Sequence, residues 1–266
     1  MTTEGNRSYR ILQVAEDLPS LVWAAWRMLD AGRRAHELAV LVEDKARAWK
    51  SHLQPRARLD DVAGTVTLDF PGLADESREL AREATPVVSE VLLHTRAALD
   101  YCVYHGAWID SGTRNESTQF LLEDTRASWA RKARGQRLRG LTAEHVAWVE
   151  EVQPYRGVEW SAQLRRLSNQ DKHRLPVMIS AAPTVTLDTG TLEPDPYGEP
   201  GFTGFRVIER TLDLLIVQDP VRRDGDESPV IPVLWTIIAG AVAVVNRFLT
   251  GYGEEPLTMT EAPGRR

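Results

Sequence analysis

The chain has 266 residues, room for one large domain or two small ones, and 42% of them are apolar, enough for a sizeable core. Its formal net charge is −6, which excludes a general nucleic-acid sponge, because phosphate binding is carried by Lys and Arg; a local basic patch stays open. A single cysteine, Cys102, excludes a disulfide framework within the chain and a cysteine-built metal site.

The N-terminus, Met1-Thr2-Thr3-Glu4-Gly5-Asn6, is polar and lacks the apolar segment of a secretory signal. Residues 18–52 read as helix. Leu21, Ala24, Ala25, Met28 and Leu29 recur at helical spacing, as do Leu38, Leu41, Val42 and Trp49. Gly32 is a place for a kink and Pro55 a stop. In residues 63–70, Val66 and Leu68 alternate with Thr65 and Thr67, which predicts a strand. Thr85 suits a helix N-cap and Pro86 the first helical position, so a helix is expected over 87–108. Val88, Leu92, Leu99, Cys102 and Val103 form one apolar stripe of it. Ala97, Tyr101, Tyr104 and Trp108 form another, as in the central member of a bundle. Cys102 reads as a small buried hydrophobe. The eight tryptophans point to packing of large side chains.

Residues 110–117 read as a polar loop and 122–134 as a helix with a basic cluster. Thr142 caps a helix over 143–152, and 159–172 is a further helix. After Pro176 the pattern changes to strands at 177–187, 202–209 and 212–218. Residues 233–249 are apolar but broken by Thr236, Asn246 and Arg247, and fall short of the roughly 20 residues a membrane span needs, so they read as a core helix. Residues 251–266 read as a loose tail. The expected fold class is α+β in a single domain. A mainly helical bundle (about 18–175) precedes a small C-terminal antiparallel sheet and a final apolar helix (about 176–250). The expected location is cytoplasmic.

The stretch Ser168-Asn169-Gln170-Asp171-Lys172-His173-Arg174 ends an otherwise amphipathic helix with far more polar chemistry than capping requires. At 3.6 residues per turn, Trp160, Leu164, Leu167 and Asp171 share one side. Asp171 therefore continues the apolar stripe and needs a partner there. Arg96, close to Asp100 on the 87–108 helix, is the candidate. Arg96, Asp100, Asp171, Lys172 and Arg174 then form a structural polar network fixing the register of two helices. Arg166 and His173 share the other side with Gln170 between them and Asn169 nearby. Such a ledge suits phosphodiester chemistry. His173 would act as general base or acid toward a ribose 2′-hydroxyl, Arg166 would stabilise charge on the phosphorus oxygens, and Asn169 and Asp171 would orient them. Lys172, His173 and Arg174 equally suit a solvated helix end, where cations complement the dipole.

Arg126, Arg131, Lys132, Arg134, Arg137 and Arg139 form a basic run around Trp129. The run could grip a phosphate backbone and stack a base, or simply be a solvated face. His94 and His105 share a helix face without a third ligand, and His145 carries no signal. No motif calls for a metal or a cofactor.

The segment Val91-Leu92-Leu93-His94-Thr95-Arg96-Ala97-Ala98-Leu99-Asp100 resembles the LRxALDH helix of an uncharacterised family in actinobacterial and phage genomes. The resemblance extends through Thr118-Gln119-Phe120, Gly140-Leu141, Gln153-Pro154-Tyr155 and the Leu167-to-Arg174 motif. It implies relatives rather than an activity. Arg166 and His173, with six residues between them, are also similar to the Arg…His motif of HEPN domains. These are helical bundles that include metal-independent ribonucleases of toxin and antiphage systems. Leu167 stands where that motif usually has a polar residue. The resemblance implies RNA as partner, with a homodimer as an assembly that would cover the outer helix face. The other reading is a non-enzymatic structural or interaction domain whose polar motif braces the helical core.

Overall fold

In this computed structural model the described residues are 20–52, 56–60, 65–69, 72–173, 179–188, 206–216 and 228–258. The fold is α+β and mostly helical. Helices α1 (Val22–His52) and α2 (Leu73–Ser111) form its spine. Their antiparallel course is marked by ties from Ser20 to His105, Arg27 to His94, Arg34 to Glu90 and Lys45 to Glu83. Between them in sequence, β1 (Arg56–Asp60) pairs antiparallel with β2 (Thr65–Asp69). The strand expected over 63–70 is β2; its partner alternates too, Ala57 and Leu59 between Arg56, Arg58 and Asp60, but over only five residues with one large apolar side chain.

After α2 come α3 (Arg126–Ala133), α4 (Ala143–Glu151), a 3-10 turn (Pro154–Arg156) and α5 (Glu159–His173). The second sheet has the order β3 (Ile179–Asp188), β4 (Arg206–Ile216), β5 (Ser228–Pro229), all antiparallel. Helix α6 (Val230–Gly251) closes the bundle, packing on α1, α2 and α5.

Several expectations need correction. Gly32 does not divide α1, which is one helix of 31 residues; Gly32 is buried. Pro86 does not open α2 but lies inside it, because the buried stripe already runs through Leu80 and Ala84 upstream. Thr85 accordingly caps nothing; its hydroxyl donates to the Ala81 carbonyl at 2.8 Å. Helix α3 starts at Arg126, where the Thr125 hydroxyl accepts from the Ser128 N–H, and not at 122. The two strands expected at 202–209 and 212–218 are one, β4; of these stretches, 202–205 and 217–218 lie outside the described residues. Leu29 is 46% exposed, and Trp23 and Trp26 are also open to solvent, edge to face with each other, so these two tryptophans fill no core.

Among the described residues, α6 alone is long and apolar enough to cross a membrane. It turns ten residues, including Leu234, Ile237, Ile238 and Phe248, into the core. Residues 252–258 are anchored rather than loose: the Asn246 amide donates to the Leu257 carbonyl at 3.0 Å and accepts from its N–H at 2.7 Å. The rest of the expected tail, 259–266, lies outside the described residues. Cys102 is fully buried, and desolvation pushes its thiol well above the ordinary range, so it behaves as a hydrophobe.

Candidate functional site

Residues 118–124 link α2 to α3 without regular structure, yet Phe120, Leu121, Leu122 and Glu123 are all buried. Buried backbone without a ladder must find other partners. Side chains supply them. The Phe120 N–H donates to Asp100 Oδ1 at 2.9 Å, and the Phe120 carbonyl accepts from Arg96 Nη2. Gln153, fully buried, donates through Nε2 to the Leu121 carbonyl at 2.7 Å and accepts the Glu123 N–H at 2.9 Å. Arg165 Nη1 donates to the Leu122 carbonyl at 2.6 Å. The Glu123 carbonyl accepts from the Tyr155 N–H and the Gln119 N–H donates to the Arg137 carbonyl. Motifs far apart in the chain thus converge on one peptide segment.

Arg96 and Asp100 sit one turn apart on α2, 3.4 Å from each other, and grip the two sides of Phe120. The expected brace joined them to Asp171 on a second helix; here they hold a backbone as well as each other. Truncating Arg96 to Met should cost about 2 kcal/mol, the loss of a charged donor from a buried carbonyl and a carboxylate, read as a shift of the urea midpoint at unchanged slope. Helix α5 runs through His173, but the side chains of Gln170, Asp171, Lys172 and His173, and all of Arg174, lie outside the described residues. The expected Arg96–Asp171 pair lies there too.

Beneath the segment is a cleft of about 220 Å³ whose lining includes Arg96, Lys132, Arg137, Arg165, Ser168 and Asn169. Its one carboxylate among the described residues is Glu123. That side chain is 4% exposed, with Oε1 held by Lys132 at 2.6 Å and Oε2 by the Ser128 hydroxyl at 2.5 Å. Burial pushes the Glu123 carboxyl up, but these bonds outweigh it and hold it below the ordinary range, so it stays charged. A second cleft of about 670 Å³ is lined by Arg166, Gln163, Glu159, Asp124 and Ser228, and shares Arg165 and Asn169 with the first. The two openings are therefore contiguous across α5.

Of the expected catalytic group, Arg166 and Asn169 are exposed and meet on the larger cleft. The basic run is dispersed. Lys132 and Arg137 line the smaller cleft, while Arg131, Arg134 and Arg139 are exposed and outside its lining. Trp129 is 4% exposed and belongs to the hydrophobic core, so it has no free face on which to stack a base; that expectation is corrected. The reason is its helix: α3 is short, and its one large apolar side chain anchors it.

A second polar cluster joins the ends of α2, α4 and α6. Asp110 Oδ2 lies 2.6 Å from His145 Nδ1 and accepts the Thr142 N–H at 2.8 Å. The Tyr252 hydroxyl lies 2.9 Å from Asp110 Oδ1 and 2.9 Å from His145 Nδ1. Burial and the Asp110 carboxylate push the Tyr252 phenol well up. Trp148 and Phe248 roof the His145 ring. Gly140 (φ 101°) lets the adjoining loop pass close to the Ala107 backbone. Sequence reading misses this clasp, Gln153, Glu123 and Arg165. A lone His, Gln or Arg has no periodicity to betray a tertiary partner. His94 and His105 are structural too: Arg27 bonds the first, and the Ser20 N–H donates to Nδ1 of the second. Among the described residues no cluster of His, Cys, Asp and Glu has the makings of a metal site.

No family model matches this chain, nor does any curated protein or solved structure.

Proposed function

We propose that this is an RNA-binding protein of the toxin or phage-defence type, working in the cytoplasm, which grips RNA along α5 and cleaves it without a metal. The observation that carries the reading is the pair of adjoining clefts, whose linings set Arg96, Lys132, Arg137, Arg165 and Arg166 against the carboxylates Glu123, Asp124 and Glu159, in a chain that is acidic overall. Cations gathered in a concave, partly desolvated place attract phosphate far more than scattered surface lysines do.

The chemistry rests on Arg166 and His173. They lie seven residues apart on one continuous helix and therefore share a side of it. His173 would take the proton of a ribose 2′-hydroxyl. The 2′-oxygen would then bond to the adjacent phosphorus as the bond to the 5′-oxygen breaks, leaving a 2′,3′-cyclic phosphate, and water would protonate the departing 5′-oxygen. Arg166 would offset charge on the phosphorus oxygens.

The protein should cleave single-stranded RNA in excess EDTA. His173→Ala should abolish cleavage but leave RNA binding intact, and Arg166→Ala should slow it by about 10²–10³-fold. A wild-type protein that binds RNA without cutting it refutes the catalytic role. One that binds no RNA at low salt refutes the whole reading.

A second reading has its own support: Arg96, Asp100, Arg165 and Gln153 are all engaged with the 118–124 backbone, as a bracing network requires. The two readings apply to different atoms, and a brace that fixes two guanidinium groups at a cleft wall serves both.

A further inference from the structure

The smaller cleft has a charge and size that say which part of an RNA it takes. We infer that it is a receptor for a terminal phosphomonoester, so that the chain is held by a phosphorylated end with the first nucleoside in the larger cleft. This rests on the RNA reading above and narrows its substrate class.

Lys132 is spent on Glu123, and the other oxygen of that carboxylate is taken by Ser128. Three guanidinium groups remain on the lining, Arg96, Arg137 and Arg165, and of these Arg96 is paired with Asp100 at 3.4 Å. Arg165 is partly offset by Asp124, which is 63% exposed and so screened by water. A phosphodiester inside a strand brings one negative charge. A terminal phosphate brings about 1.5–2 and three acceptor oxygens. Three guanidinium groups on one lining match the three oxygens of the second.

Arg96 bonds Phe120 and Asp100 through Nη2 alone. Arg165 bonds through Nε and Nη1. Among the described residues Arg96 Nη1 and Arg165 Nη2 have no partner, on side chains already immobilised by backbone carbonyls, so a ligand would not bear the entropy of ordering them. Arg137 has no side-chain partner among the described residues and is exposed, free to close over an anion.

Size completes the case. A space of about 220 Å³ corresponds to roughly seven waters at ~30 Å³ each. That accommodates a phosphate and part of its sugar but not a nucleoside as well. The adjoining space of about 670 Å³ does, and Arg165 and Asn169 line both.

The test uses the full chain and one internally labelled 2′-O-methyl RNA dodecamer, which cannot be cut through its 2′-oxygen. It is made with a 5′-phosphate, with a 3′-phosphate, or with hydroxyls at both ends. Fluorescence anisotropy should show one phosphorylated form binding at least about tenfold tighter than the hydroxyl form; which one tells the polarity of the bound strand. Inorganic phosphate at millimolar concentration should erase the difference. Arg137→Gln, a change at an exposed side chain outside the brace, should reduce it severalfold. Equal binding of all three RNAs overturns the terminal-phosphate site and leaves RNA binding standing. Binding of none, at low salt, overturns both. A preference that survives both inorganic phosphate and Arg137→Gln also overturns the assignment, since the end would then be read elsewhere.

Discussion

Gln153→Ala is expected to lower stability by about 3–5 kcal/mol, the loss of a fully buried side chain with three backbone partners. The side chain is fully buried, and its amide nitrogen donates to the carbonyls of Leu121 and Val149 at 2.7 and 2.8 Å while its oxygen accepts the Glu123 N–H at 2.9 Å. Removing it orphans three backbone groups, each at roughly 1–3 kcal/mol, less whatever a water can restore. Gln153→Met separates the causes. Methionine fills most of the volume but supplies none of the hydrogen bonds, so it should remain nearly as damaging as alanine. Urea unfolding gives the answer through the midpoint at constant slope. A loss below about 1 kcal/mol for alanine would mean that the segment finds other partners and is not held by Gln153.

Gly240→Ala should destabilise by about 1–3 kcal/mol, although alanine is the better helix former. A methyl at that position of α6 would fall well inside van der Waals contact of Cγ, Cδ1 and Cδ2 of Trp160 in the first turn of α5. Carbon atoms do not approach so closely, so either the indole or the whole helix must give way. The sign of the effect should reverse in a Trp160→Ala background. There the clash is gone, and the same substitution should gain up to about 1 kcal/mol from helix propensity. That coupling, of about 2–4 kcal/mol across the double-mutant cycle, is what distinguishes a steric contact from a general intolerance of α6. Because α5 carries Arg165, Arg166 and Asn169, a displaced α5 should also weaken the proposed RNA binding in the single variant.

Helix type and order were legible wherever burial is periodic. The stripes of α2, α5 and α6 run in their sequences, and the Thr142 cap is where its hydroxyl and the following helix predict it. Boundaries failed where a local signal competed with a longer one. Thr85-Pro86 reads as a helix start in isolation, yet Leu80 and Ala84 continue the stripe beyond it and tertiary packing wins. The 122–134 helix was drawn too long because Leu122 is apolar, which fits an irregular buried strand as well as a helix. Of the site, Arg96, Asp100 and Asn169 stood out because they are polar residues in helices whose other positions explain themselves. Gln153, Arg165 and Glu123 did not, since what they bind is another stretch of backbone, and backbone leaves no trace in residue type. Trp129 was misjudged because a tryptophan among cations looks like a stacking platform when nothing reveals that its ring faces inward.

The hydrogen bonds of residues 118–124 come from α2, from Gln153 beyond α4 and from α5. These groups stand as far apart in the chain as Arg96 and Arg165, so no single helix or turn can shape the segment by itself. It acquires its path only when the bundle has assembled, so this part of the molecule belongs late in folding, after long-range contacts have formed. A half-folded chain would present the same arginines without the geometry that makes them a cleft. If α5 cuts RNA, the nascent chain is harmless until folding is complete.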